Sequence, residues 1–284
     1  MKRLAIYAHF GTSPQVATHV LFHLRHLTEL GCEICFVSNS EIASPGQTAL
    51  KALCRQIGVR PNTGLDFAMW QRALEEINLA RYDELILTNS SIIGPLQPLA
   101  PLWQNPAVAG SDFWSLTDND DWIPHFQSYF LVFGPRVIHS PRFKEFWRGV
   151  LPYRSRLQVI HSYELGLTTW LTEGGFTGKA VFSQEAILSA FRASRNVLQR
   201  AADKRRFLAH LYRQRELPPR DTTRIYPDLL LARGMPYLKV AVLRERTFRM
   251  SPALGFALLE KYGLPPEILA DLRREFPIAA GPQP

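Results

Sequence analysis

The sequence of 284 residues has few cysteines. Cys32, Cys35 and Cys54 are too few for a disulfide framework and are typical of reduced thiols. Cys32 and Cys35 have Cys-x-x-Cys spacing, but they flank the start of an apolar segment, and no second Cys or His pair stands at zinc spacing. We therefore reject a redox or zinc-binding function for this pair.

Long apolar runs are also missing. No stretch approaches the roughly 20 apolar residues that a membrane span requires, and three histidines and an arginine interrupt the apolar positions of the first thirty residues, unlike a secretory signal. These features predict a cytoplasmic protein. Internal repeats, a Gly-x-Ser-x-Gly elbow and a phosphate-binding P-loop are absent as well, which disfavours an unrelated α/β hydrolase or phosphatase.

Positive charge is concentrated in one part of the chain. The net charge is +8, and residues 192–249 carry fifteen Lys or Arg against five Asp or Glu. Within them, residues 201–215 predict a basic amphipathic helix. One interpretation is that this helix packs on the main domain with its basic face solvated. The other is that the basic face attracts an anionic membrane surface or a lipid pyrophosphate, which would make the protein peripheral at the inner face of the membrane. Nucleic acid is not expected as a partner, because no nucleic-acid-binding motif accompanies the charge.

Strand-like and helix-like segments alternate along the first third of the chain, which predicts an α/β fold with a mostly parallel central sheet flanked by helices. The predicted elements are a strand at 4–8, a helix at 15–30 ended by Gly31, a strand at 33–37, a helix leading to residue 60 and a buried strand at 85–87.

The last of these strands stops abruptly in Thr88, Asn89, Ser90 and Ser91. In open α/β sheets, ligands bind at the carboxyl ends of the strands. Small polar residues also dominate ordinary turns for conformational reasons, so this boundary alone leaves a binding site and a simple turn both open.

A set of segments, taken in order, resembles the rhamnan synthesis protein F family of bacterial polysaccharide glycosyltransferases. The segments are LAIYAHF, FVSNS, NTGLDFAMW, YDELILTNSSIIGPL, DFWSLTDN, HFQSYFLVF, SPRFKEFW and YELGLTTWLTEGGF, with a weaker match at MPYLKVAVLR. The resemblance implies a Rossmann-like fold of the GT-A nucleotide-sugar transferase type. It also implies a catalytic domain over residues 1–182 and a basic, mainly helical extension over residues 183–284 packed on that core.

The function implied by this resemblance is transfer of a deoxyhexose, L-rhamnose from dTDP-rhamnose with inversion. The acceptor would be a growing or lipid-linked glycan of a bacterial surface polysaccharide such as the lipopolysaccharide O-antigen. The alternative is a non-catalytic member of the fold that binds sugar nucleotide or glycan within a polysaccharide assembly complex.

The same resemblance places a nucleotide over the ends of the first strands, near His9, Asn39, Asn62, Gly64 and Asp66. Glycine permits close backbone approach, and carboxylate or amide groups can hydrogen-bond ribose hydroxyls. An Asx turn with Asp66 as the helix N-cap explains the last three residues equally well.

The predicted diphosphate site departs from the family pattern. The family commonly has Asn-Asp-Ser, a counterpart of the metal-binding Asp-x-Asp motif, where residues 89–91 here read Asn-Ser-Ser. A serine hydroxyl at Ser90 is a poor ligand for Mg²⁺ or Mn²⁺. Either Asp66, Asp112 or Asp118 supplies the missing carboxylate, or basic side chains and hydroxyls stabilise the leaving group without metal, or the site is weak. We favour the metal-independent version.

Glu164 is the predicted catalytic base, because the amphipathic pattern that follows it places it in the first turn of a helix, where the resemblance expects an acceptor-activating carboxylate. A first-turn Glu also stabilises a helix without any catalytic role. The acidic loop containing Asp118, Asp120 and Asp121 is the next candidate, although a solvated turn explains it as well.

His125 and Gln127 match a fixed feature of the family and are predicted to contact the acceptor sugar or the diphosphate, although a lone His at a strand start is more often structural. Four tryptophans are candidates for a sugar-stacking platform, while most are expected in the core. They are Trp114, Trp122, Trp147 and Trp170.

Overall fold

A computed structural model describes residues 1–11, 13–61, 63–193, 202, 204–205, 221–247 and 249–278. Its main sheet has eight strands in the order β3-β2-β1-β4-β8-β6-β7, with β9 also paired to β6. The strands are β1 (Arg3–His9), β2 (Cys32–Ser38), β3 (Gln56–Val59), β4 (Glu84–Asn89), β6 (Phe113–Asn119), β7 (His125–Phe126), β8 (Phe130–Phe133) and β9 (Gly178–Phe182).

The sheet is mixed but mostly parallel. Strands β1, β2, β3 and β4 pair in parallel, and so do β6 and β9, whereas β8 runs antiparallel between β4 and β6, and β7 runs antiparallel to β6. Helices cover both faces, so the predicted α/β fold is confirmed.

The described α-helices have between four and twelve residues. They are α1 (Thr18–Glu29), α2 (Ser44–Leu53), α3 (Leu65–Glu76), α4 (Pro135–Ile138), α5 (Pro141–Arg148), α6 (Arg156–Val159), α7 (Leu165–Glu173), α8 (Gln184–Ala193), α9 (Thr222–Ile225), α10 (Pro227–Leu231), α11 (Ala241–Arg244), α12 (Pro252–Lys261) and α13 (Pro266–Glu275). Residues Ile160–Glu164 form a π-helical segment between α6 and α7, and 3₁₀ turns lie at Leu79–Arg81, Ala100–Gln104 and Pro106–Val108.

Two apolar clusters sandwich the sheet. One contains the inner faces of α1 and α2, and the other contains those of α3, α5 and α7. Cys32 belongs to the first cluster and Cys35 to the second, because residues three apart on a strand point to opposite faces. The two thiols therefore do not face each other.

A small second sheet joins the C-terminal part of the chain to the end of β4. Strand β5 (Ile92–Ile93) pairs antiparallel with β10 (Leu238–Lys239), and the Val240 amide donates to the Ser91 carbonyl at 2.8 Å. Gly94 allows the two segments to approach closely at Pro236, because its φ is +142° and a Cβ there would lie 2.5 Å from the Pro236 carbonyl oxygen. The pairing places Lys239 beside the polar end of β4.

Several predicted boundaries were wrong. The first helix begins at Thr18 and not at residue 15, although Gly31 follows its end in the left-handed conformation, φ +83°, as expected. The second helix ends at Leu53 and is followed by β3, an edge strand that was missed because its four residues are only partly buried and lack a clear apolar pattern.

The C-terminal predictions have a mixed outcome. Most of the predicted basic helix at 201–215 lies outside the described residues, and the domain division after residue 182 stays a prediction. Ile187, Ile225 and Tyr237 are buried in the same cluster as α1 and α2. Among the described residues, no helix is both long and apolar enough to span a bilayer.

Candidate active site

A cavity of about 980 Å³ opens at the carboxyl ends of β1 and β4. Both parallel strands end at this edge of the sheet, and residues of the C-terminal region at and after β10 also line the cavity. Six of the predicted site residues line it. They are His9, Asp66, Asn89, Ser90, Ser91 and Glu164.

Hydrogen bonds join three of these side chains. The Asn89 Nδ2 donates to Asp66 Oδ2 at 2.8 Å, and Asn89 Oδ1 accepts from both the amide and the hydroxyl of Ser91, at 3.0 and 2.6 Å. Asn89 itself is buried. Its amide thus fixes the carboxylate and the turn after β4 in one rigid group.

The helix that carries Asp66 is capped differently from the Asx-turn alternative. Gly64, with φ +78°, occupies the N-cap of α3, so Asp66 is inside the first turn and its carboxylate is directed to Asn89 instead of capping the helix. A Cβ at Gly64 would lie 2.8 Å from the Pro152 Cα. Its close approach is to this neighbouring loop, and Gly64 does not line the cavity.

The Asp66 carboxyl is perturbed by its surroundings. Burial and, after it, the charge of Glu164 raise its pKa from 3.8 to about 6, although the Asn89 hydrogen bond, Lys239 and Arg156 oppose the shift. Asp66 therefore exchanges its proton near neutral pH, as acid–base groups of active sites often do.

Glu164 lies at the cavity, but not in a first helical turn. The helix begins eight residues earlier, where the Ser155 hydroxyl accepts from the Gln158 amide, and it runs through the π-helical segment into α7. The first-turn prediction was wrong because Ser155 had not been recognised as the N-cap. π-Helical turns inside α-helices occur frequently at functional sites.

One carboxylate oxygen of Glu164 is held in place. Its Oε1 accepts from both the amide and the hydroxyl of Ser128, each at 2.9 Å. Among the residues that the structure describes, Oε2 has no hydrogen-bond donor, and Glu164 borders the open cavity. The side chain is thus oriented and still able to accept a proton.

His9 lines the cavity directly, whereas Asn39 contacts a residue that lines it. The His9 ring nitrogen Nδ1 lies 3.0 Å from the Ser38 hydroxyl, and burial lowers the pKa of His9 to about 4, which keeps the ring neutral at pH 7. Asn39 does not line the cavity, but its Oδ1 accepts from the amide of Gly11, which does.

Other predicted residues lie elsewhere. Asn62 is outside the described residues. Asp118 accepts from the Gln184 amide at 2.6 Å, His125 Nδ1 lies 2.8 Å from the Ile123 carbonyl, and Gln127 accepts from the Thr117 hydroxyl at 2.6 Å. None of these three predicted contacts lines the cavity.

Two of the cations that line the cavity, Arg224 and Arg274, form ion pairs with Glu245 and Asp271. Three further cations that the sequence did not single out line it as well: Arg156, Lys239 and Arg244. Within the described part of the chain none of them forms an ion pair with a carboxylate. Lys239 is partly buried, and its ammonium lies 4.3 Å from the centroid of the Tyr129 ring. The match at MPYLKVAVLR, which contains Lys239 and Arg244, was the signal that would have found two of them.

The residues present do not fit a divalent cation. Across the described ranges, no group of three or more His, Cys, Asp or Glu side chains is close enough to hold a metal ion. Of the three acids considered as replacements, only Asp66 borders the cavity. Asp112 instead pairs with Arg136 at 2.8 Å, and Asp118 accepts from the Gln184 amide. Asn89 Oδ1 already accepts two hydrogen bonds.

The family model described as rhamnan synthesis protein F matches residues 34–203. The chain belongs to the rhamnan synthesis protein F family. Among curated relatives of this family member, the uncharacterized protein y4gN of Sinorhizobium fredii is 27% identical over 179 residues, which cover 61% of this chain and 47% of the relative. Virulence protein VirA of Vibrio anguillarum is 26% identical over 204 residues, 68% of this chain and 64% of the relative. The chain thus spans about half to two thirds of the length of these relatives.

Solved structures of similar fold include the glycosyltransferase GlyE of Streptococcus pneumoniae TIGR4, with a TM-score of 0.49, 12% identity and coverage of 96% of this chain and 64% of that one. Another is a 4-diphosphocytidyl-2C-methyl-D-erythritol synthase from Anaerococcus prevotii, with a TM-score of 0.42, 9% identity and coverage of 64% and 88%. Similarities at this level assign no activity to this chain.

Proposed function

We propose that this family member is a glycosyltransferase that moves a sugar from a nucleotide donor to a glycan, without a divalent metal. The observation that carries the proposal is the convergence of an oriented carboxylate, Glu164, and a partly buried cation without an ion-pair partner among the described residues, Lys239, on one cavity at the carboxyl ends of parallel strands. Glycosyl transfer needs both a base and charge compensation.

The nucleoside diphosphate would lie over the ends of β1 and β4, with His9 and Asn39 on the nucleoside side and Ser90 and Ser91 beside the diphosphate. Lys239 is held against the Ser91 turn by the β5–β10 pairing. Its ammonium would stabilise the negative charge that develops on the leaving diphosphate, a role often filled by a metal ion. Arg156 and Arg244 add positive charge around the same cavity.

Glu164 would take the proton of the acceptor hydroxyl through Oε2. As that oxygen attacks the anomeric carbon, the bond from this carbon to the diphosphate breaks, and the electron pair leaves with the diphosphate. Attack opposite the leaving group inverts the configuration. Donation from Ser128 to Oε1 fixes the carboxylate and leaves its second oxygen to accept that proton.

For the donor, we propose dTDP-L-rhamnose, because the family description refers to rhamnan synthesis. The acceptor would be a growing or lipid-linked surface polysaccharide. A second candidate is a non-catalytic glycan or sugar-nucleotide binder, which the Asn-Ser-Ser sequence at residues 89–91 favours because it lacks the acid of the usual metal site.

The test is release of nucleoside diphosphate from a panel of sugar nucleotides with rhamnose-containing acceptors, measured with and without EDTA. We expect release that persists in EDTA and falls by about 100-fold or more in Glu164→Gln. Glu173→Gln, an exposed acid on the same helix, is the matched control and should keep wild-type turnover. Binding of nucleotide without turnover across the whole panel would favour the second candidate, and loss of turnover in EDTA would refute the metal-independent reaction.

A further inference from the structure

The loop between β6 and β7 presents an exposed tryptophan. Trp122 is 63% exposed and has φ +72°, a backbone conformation that is unfavourable for a bulky residue. Trp114 and Trp147 are buried, and Trp170 is partly buried with its indole N–H donating to the Arg142 carbonyl. Of the four tryptophans considered for sugar stacking, Trp122 is thus the one whose ring is largely free.

The loop around Trp122 is firmly held. The Asp120 amide donates to Gln184 Oε1 at 2.9 Å, Gln184 Nε2 donates back to Asp120 Oδ1 at 2.7 Å, and Asn119 and Asp121 exchange two further hydrogen bonds. The Ile123 carbonyl contacts His125 on the other side. Such bracing can maintain a strained backbone conformation, and strain of this kind is concentrated at functional sites.

The ring of Trp122 contacts the helical segment that carries Glu164. Its centroid is 4.6 Å from that of His161, with an interplanar angle of 36°. His161 lies three residues before Glu164 on the same helical segment, so both belong to about one turn. Arg156 and Ile160 of this helix line the cavity, and His161 lies on its adjacent exposed face.

The chemistry around Trp122 favours a neutral, polyhydroxylated ligand. Ile123, next to Trp122, and Leu157, four residues before His161 on the same helix, are 43% and 55% exposed, and Asp120 and Asp121 precede Trp122 in the loop. Carboxylates accept hydrogen bonds from sugar hydroxyls, and a flat ring packs on the apolar face of a pyranose.

We infer that Trp122 and His161 form a stacking subsite for a pyranose ring of the acceptor glycan, one sugar at the rim of the cavity beside Glu164. This inference rests on the proposed function for the identity of the acceptor. Trp122 is a binding residue, which holds the acceptor so that its hydroxyl reaches the Glu164 carboxylate.

The test is saturation-transfer NMR on the full chain with dTDP present, using methyl α-L-rhamnopyranoside, methyl α-D-glucopyranoside and methyl α-D-galactopyranoside as probes. We expect at least one glycoside to receive saturation and to quench tryptophan fluorescence. Its affinity should fall about tenfold in Trp122→Ala and less in Trp122→Phe, which keeps an aromatic face. Leu254→Ala, which truncates an exposed apolar residue on α12, is the control and should bind as wild type.

Three results would overturn the subsite: no saturation of any glycoside by the wild-type protein, an unchanged affinity in Trp122→Ala, or a loss of binding to phosphatidylglycerol-containing vesicles in Trp122→Ala without any effect on glycosides. If Trp122→Ala unfolds, Trp122→Phe and His161→Ala decide instead. The dTDP affinity measured in the same samples separates the two proposals. If the wild-type protein binds dTDP but no glycoside, only the subsite proposal is refuted. If it binds a glycoside but not dTDP, only the transferase proposal is refuted.

Discussion

Replacing Asp66 by Asn tests the electrostatics of the cavity wall. The amide has the same shape as the carboxyl and can still accept the hydrogen bond that Asn89 donates at 2.8 Å. The substitution removes the charge that burial and Glu164 disfavour. We therefore expect Asp66→Asn to stabilise the protein above pH 6.

The magnitude follows from the pKa. Burial and the charge of Glu164 raise the pKa of Asp66 from 3.8 to about 6, and a pKa shift of one unit corresponds to about 1.4 kcal/mol, so holding the ionised carboxylate in the fold costs about 3 kcal/mol at most. Because Asp66 is partly open to the cavity, we expect about 1–2 kcal/mol. Between pH 3.8 and 6 the folded state binds more protons than the unfolded state, so this group makes stability fall as the pH rises.

Urea denaturation of wild type and Asp66→Asn between pH 4 and 8 measures the effect. The difference in free energy of unfolding should grow in favour of the variant up to about pH 6 and then stay constant. His9 and His19, whose pKa burial lowers to about 4, act in the opposite direction, but they are common to both proteins and cancel in the difference. Glu41→Gln, on an exposed residue, is the control. A difference that is independent of pH, or that grows towards acid, would refute the reasoning.

Three further predictions test other parts of the structure. Lys239→Met should weaken dTDP binding about tenfold by calorimetry in EDTA, whereas Lys51→Met on the exposed face of α2 should not. Gly94→Ala should lower the free energy of unfolding in urea by about 2–4 kcal/mol, because its Cβ would overlap the Pro236 carbonyl; an unchanged stability would contradict the close approach. His23→Phe should flatten the loss of stability as the pH falls below 6.5, because burial lowers the pKa of His23 to about 3; an equally steep loss would contradict it.

Local sequence patterns were sufficient for the central strands and for part of the site. Strands β1, β2 and β4 are continuous apolar runs, and parallel strands bring their polar ends to one edge, so the meeting of His9 and Asn89 at one cavity was predictable. The edge strand β3 was missed because partly exposed strands have no such pattern. Glu164 was placed at the cavity, but its helical position was wrong because the N-cap at Ser155 lies in a polar stretch.

The cationic side of the cavity depends on long-range pairing. Lys239 lies beside the turn at Ser91 only because β10 pairs with β5, and nothing in the local sequence specifies two strands of two residues each as partners across more than a hundred positions. His125 and Gln127 resembled ligand contacts because their residue types can bind sugars, but in the structure they bond to the Ile123 carbonyl and the Thr117 hydroxyl. Such hydrogen bonds follow from tertiary geometry and not from residue type.

A crystal structure with dTDP bound, from crystals grown with MnCl2, tests the central claim most directly. The account predicts the nucleotide over the ends of β1 and β4 and diphosphate oxygens about 2.7–3.2 Å from the Lys239 ammonium, with no manganese anomalous signal between the diphosphate and Asp66. A nucleotide bound away from this cavity, or a diphosphate held through manganese by Asp66 and Glu164, would contradict it.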